Sequence, residues 1–140
     1  MLLISPWTEF GTDAPSFARN GTRDFVPVCI YQLAEAAVRP GVTPALQHHL
    51  EPGLAPRGWW NGLDRIFGRV FITAGEHEAL IDQIQAAAVA INEDGVSDTT
   101  MFALAGGVHE DFVEAFGSGE GGRGVDYKIT VSWVSGALRL

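Results

Sequence analysis

Four histidines and a few acidic neighbours are the residues of this 140-residue chain with the greatest capacity for proton or metal chemistry. Glu76-His77-Glu78, in "TAGEHEALIDQI", places one imidazole between two carboxylates. His109-Glu110-Asp111 puts both carboxylates on one side of its imidazole, and His48-His49 is an adjacent pair. A neutral histidine near a carboxylate is equipped to act as a general base or a metal ligand. Neighbours at i±1 on a helix do not converge on one point, however, and a helical metal site needs i, i+4 spacing. No second histidine occupies position 81, so no metal or cofactor is expected. His77, His109, Glu110 and Asp111 remain the candidates for a pocket assembled by folding.

The element under the first motif supplies a competing explanation. Leu80, Ile84, Ala87 and Ile91 recur at helical spacing, so a helix is expected from Gly75 to Asn92. Thr73 and Glu76 match a capping box, and Glu78 falls in the first turn, pointing away from the apolar stripe. His77 lies at the margin of the buried face. The motif is therefore read mainly as a helix start.

Other signatures fail on context. "GSGEGG" (Gly117 to Gly122) fits G-x-G-x-x-G, but it precedes an expected strand and reads as a loop. No G-x-S-x-G elbow for a nucleophilic serine occurs. Cys29 sits among apolar neighbours in "VPVCIYQL" and is expected to be a buried, inert thiol. Arg57, Trp59 and Trp60 share a Pro/Gly loop and are the candidates for a partner anchor, with at least one tryptophan expected to cover the core.

Nine basic residues against 17 acidic ones give a net charge of −8, with the arginines scattered, which disfavours nucleic acid. No apolar run reaches membrane-spanning length, and the start "MLLISPWTEFG" lacks a signal peptide's basic region. A cytoplasmic protein, or one within an assembled particle, is expected.

Residues 1–140 read as a single α+β domain, with loops at 6–22 and 117–124. "MLLIS", "RVFITA" and "TTMFALAGG" have strand composition, and a helix is expected from about Pro27. "VDYKITVSWVSG" alternates, with Val125, Tyr127, Ile129, Val131 and Trp133 on one side, as a half-exposed antiparallel strand would. The expected architecture is a mainly antiparallel sheet with helices packed on one face. In element order alone, the second half resembles phage tail-completion proteins, which implies ring assembly. The main functional expectation is a non-enzymatic assembly or protein-interaction protein that self-associates or binds a protein partner. The alternatives are a small enzyme or ligand-binding protein using His77 and Glu110 or Asp111, and an acidic immunity-type inhibitor of a basic toxin.

Overall fold

The computed structural model describes residues 1–119, 122 and 124–138. Its sheet is built from the three apolar segments with strand composition: β1 (Leu2–Ile4), β2 (Val70–Gly75) and β3 (Thr99–Leu104). They lie in the order β1-β2-β3, and both pairings are parallel, with Leu3 opposite Ile72 and Thr73 opposite Phe102. The expected antiparallel sheet is thus incorrect. Parallel neighbours cannot be joined by a tight hairpin and need a crossover, usually helical. Helix α4 (Ile81–Asp94) provides the crossover between β2 and β3.

Layers cover both faces of the sheet, not one. Val70, Ile72 and Ala74 point to a core shared with Leu80, Ile84, Ala88 and Ile91 on the α4 side. Phe71, on the opposite face by the strand's twofold alternation, stacks on Trp133 at 5.3 Å between ring centroids. Burial on two sides explains why "VFITAG" reads as one continuous apolar run.

Trp133 belongs to helix α6 (Val125–Ala137), where an alternating strand was expected. The segment carries both periods. Asp126, Thr130, Trp133 and Ala137 recur at helical spacing. Asp126 and Thr130 are buried, while Val125 and Val131 are 59% and 40% exposed, so the stripe selected by folding is not the one marked by alternation.

The long connection from β1 to β2 holds α1 (Pro15–Asn20) within the expected 6–22 loop, α2 (Val28–Val38) and α3 (Gln47–Leu50). Trp7 packs edge-on against Phe10 and Tyr31, and Tyr31 against Phe17, which fastens α1 and α2 together. Tyr31 is the one buried residue of α2, so Cys29 is exposed rather than buried. Helix α5 (Asp111–Gly117) follows β3. The 117–124 loop lies partly outside the described residues.

Candidate active site

Gly75 ends β2 opposite Leu104, the last residue of β3, so the loops leaving these strands emerge side by side. The Glu76 amide donates to the Leu104 carbonyl at 2.9 Å and the His77 amide to the Gly107 carbonyl at 2.8 Å. Glu76 Oε2 accepts from the Gly106 amide at 3.0 Å. The approach is so close that a Cβ on Gly75 would lie 2.4 Å from the carbonyl of Gly107, which requires glycine there. Residues 76–80 are consumed by this junction, so α4 starts at Ile81 and not near Thr73. Thr73 remains inside β2 and makes no cap.

The junction turns Glu78 inwards. Its side chain is 0% exposed, and Oε1 lies 2.6 Å from Nδ1 of His109. Its other oxygen accepts from the Gly75 amide at 3.0 Å and from the Ser5 hydroxyl at 3.1 Å. With Nδ1–H donated to Glu78, the neutral imidazole keeps the Nε2 lone pair as its basic site. His109 retains 16% side-chain exposure, which leaves the ring reachable while its orienting carboxylate is sealed.

Three further elements hold this pair. Ser5, just past β1, also accepts from the Glu110 amide at 3.1 Å. Ser5 and Glu110 both adopt left-handed backbone, with φ of 42° and 53°. Such conformations cost about 1–3 kcal/mol each and concentrate at functional sites. From α1, Ser16 donates its hydroxyl to the Ala79 carbonyl at 2.6 Å, and the buried Asn20 amide donates to the Glu76 and Glu78 carbonyls at 3.0 and 2.9 Å. From the α1–α2 loop, Asp24 accepts from the Ala79 amide at 2.7 Å and the His109 amide at 2.9 Å.

The electrostatics favour a charged His109. Burial opposes protonation and is the strongest single influence, but the hydrogen bond to Glu78 and the negative charges of Glu78, Asp24 and Glu110 together outweigh it, so its pKa is raised. Tyr31, edge-on to the His109 ring at 6.1 Å, is shifted up by burial and then by Asp24, Glu78 and Glu110, so its hydroxyl stays neutral. The other fully buried carboxylate among the described residues, Glu51, meets Arg39 at 3.3 Å and the Phe10 amide at 3.1 Å. An arginine is a permanent counter-ion, whereas the partner of Glu78 can gain and lose a proton near neutrality.

Of the residues singled out in the sequence, His109 occupies this centre. Glu110 is exposed and contributes its amide to Ser5, and Asp111 begins α5. Burial, followed by the nearby Asp126 carboxylate, raises the Asp111 pKa. Half-buried His77 is tied down by its amide, and His49 packs edge-on against Trp59 at 5.8 Å. Trp59 and Trp60 are both half-buried and in mutual contact at 4.7 Å, Trp60 lies against the core, and Arg57 is exposed. No group of three or more His, Cys, Asp or Glu side chains arranged to hold a metal ion occurs among the described residues. Glu78, Ser5, Asn20 and Asp24, which hold or orient the ring and its loop, are not among the residues that sequence spacing singles out as candidates. A usable signal was present: Glu78 and His109 each follow the carboxyl end of a strand, where parallel α/β sheets place their ligands.

No family model matches the sequence, and no curated protein matches it. Solved structures do match in fold. Carboxyl esterase 2 from the mycorrhizal fungus Tuber melanosporum superposes with a TM-score of 0.64 at 18% identity, over 78% of this chain and 35% of the esterase. A variant of esterase rPPE gives 0.63 at 20% identity, over 78% and 33%. Esterase EstE5, soaked with p-nitrophenyl butyrate, gives 0.63 at 22%, over 84% and 36%. The chain therefore has the fold of part of an α/β-hydrolase and spans about a third of the length of these esterases. This likeness and the buried Glu78–His109 pair correct the expectation of a non-enzymatic assembly or interaction protein. They favour the small-enzyme alternative, although its named centre, His77 with Glu110 or Asp111, is not the pair that folding brings together.

Proposed function

We propose that Glu78 and His109 are the acid and base of a serine-type hydrolase acting on carboxylic esters. The carrying observation is the 2.6 Å contact between His109 Nδ1 and a fully buried, otherwise hydrogen-bonded Glu78 carboxylate. In this chemistry, His109 Nε2 removes a proton from a serine hydroxyl as its oxygen attacks the ester carbonyl. The imidazolium, stabilised by Glu78, then returns the proton to the departing alkoxide, and water repeats the cycle on the acyl-enzyme. Glu78 does not take the proton. It holds the ring and the tautomer and stabilises the charge.

In α/β-hydrolases the three partners follow one another along the chain as serine, then acid, then histidine, with the serine in a G-x-S-x-G turn. Glu78 precedes His109 in that order, and the 140 residues contain no such turn. Ser5 is committed to Glu78 and to the Glu110 amide on the carboxylate side of the pair, which suits an orienting role and not a nucleophilic one. Glu78 and His109 alone are assigned here, as the acid and the base.

The test uses the longest polypeptide the gene encodes, with p-nitrophenyl butyrate as substrate and a fluorophosphonate as serine probe. Hydrolysis and labelling that fall by roughly 10³-fold or more in H109A are expected. Ester hydrolysis that survives H109A unchanged overturns the proposal.

A further inference from the structure

Asp24 has no part in the proton path, yet it touches both loops that carry it. Its Oδ2 accepts from the amide of Ala79, the residue after Glu78, and its Oδ1 accepts from the amide of His109 itself. These partners lie 55 and 85 positions away in sequence. Asp24 is in turn anchored by its own amide to the Asn20 carbonyl at 2.9 Å, and the Asn20 side chain holds the Glu76 and Glu78 carbonyls. Beside it lies the buried Tyr31, whose hydroxyl the Asp24 carboxylate helps to keep protonated.

Resting on the hydrolase reading above, we infer that Asp24 is a positioning residue: its two carboxylate oxygens, one on each loop, set the separation of Glu78 and His109. A rigid, planar carboxylate can accept two charge-assisted amide bonds at once, whereas an asparagine of the same shape offers one accepting oxygen and turns a donor towards the other amide. Displacing one loop lengthens the Glu78–His109 bond, and misplacement of about 1 Å in such a pair costs on the order of 10²-fold in rate.

Nuclear magnetic resonance on the longest polypeptide the gene encodes reads this directly. In the wild type, the Ala79 and His109 amides are expected to exchange slowly, and His109 Nδ1–H to give a resolved downfield signal. The groups facing that ring are Glu78, Asp24, Glu110 and Tyr31. In D24N, at least one of the two amides is expected to exchange about tenfold faster. The Nδ1–H signal should broaden and the His109 titration midpoint fall, because one of the negative charges that raise it is gone. Fast exchange of either amide in the wild type overturns the assignment even where D24N fails to fold. So does a D24N protein with an unaltered His109. In E78Q the downfield signal is expected to vanish while both amides stay slow. Persistence of the signal in E78Q sinks the Glu78–His109 pairing and with it the hydrolase reading, separately from the Asp24 contacts.

Discussion

His109 Nδ1 meets Glu78 Oε1 at 2.6 Å across 31 positions of sequence, with helix α4 and strand β3 in between. The contact exists because β2 and β3 run parallel and end in register, which delivers a carboxylate and an imidazole to one end of the sheet. Loss of either side chain should therefore be felt both in stability and in chemistry.

Replacing Glu78 by glutamine keeps the shape and removes the charge that holds the imidazolium. In the ester-hydrolysis assay that tests the proposed function, kcat is expected to drop by roughly 10⁴-fold with little change in KM, as when the acid of a serine triad is neutralised. Steady-state kinetics on p-nitrophenyl butyrate measures it. Glu78→Ala should in addition cost about 3–5 kcal/mol in urea unfolding, because it leaves His109, Ser5 and the Gly75 amide without their buried partner.

The raised pKa of His109 fixes the sign of two pH effects. The folded state binds its proton more tightly than the unfolded chain, where the ordinary value is 6.5. The stabilisation is complete below that value and is lost as pH rises through the raised folded pKa. The stability difference between wild type and H109Q should thus shrink as pH rises above 6.5 and through the raised folded value in urea titrations. Activity should do the opposite, rising through the same pKa as the base becomes free.

Removing the Ser5 hydroxyl deprives Glu78 of a donor and the Glu110 amide of its acceptor. Ser5→Ala is expected to cost about 1–3 kcal/mol, read from the urea midpoint at constant m-value. An unchanged midpoint would show that water replaces the hydroxyl at no cost.

Gly75→Ala forces a methyl to within 2.4 Å of the Gly107 carbonyl. The backbone of one loop must move, and a loss of about 1–3 kcal/mol is expected. The His109 Nδ1–H signal should move with it, since Gly107 and His109 share a loop. A variant with wild-type stability and an unmoved signal would contradict the close junction.

The sequence by itself determined the local elements whose burial and propensity agree: the three apolar strands, the stripe of Leu80, Ile84, Ala87 and Ile91, and the helix from about Pro27. It also marked His109 as a candidate. Tertiary structure decided the direction of strand pairing, because apolar segments such as "RVFITA" carry no record of which neighbour they join. It decided α6 over a strand, because residues 125–137 satisfy two periods and only docking of Trp133 on Phe71 selects one. It reversed Glu78 as well. On an isolated helix wheel this carboxylate points away from the apolar stripe, but the Gly75–Gly107 junction unwinds residues 76–80 from the helix and turns the side chain to a partner 31 residues away. Sequence periodicity describes a residue's neighbours along one element, whereas an acid–base pair depends on where two separate elements end.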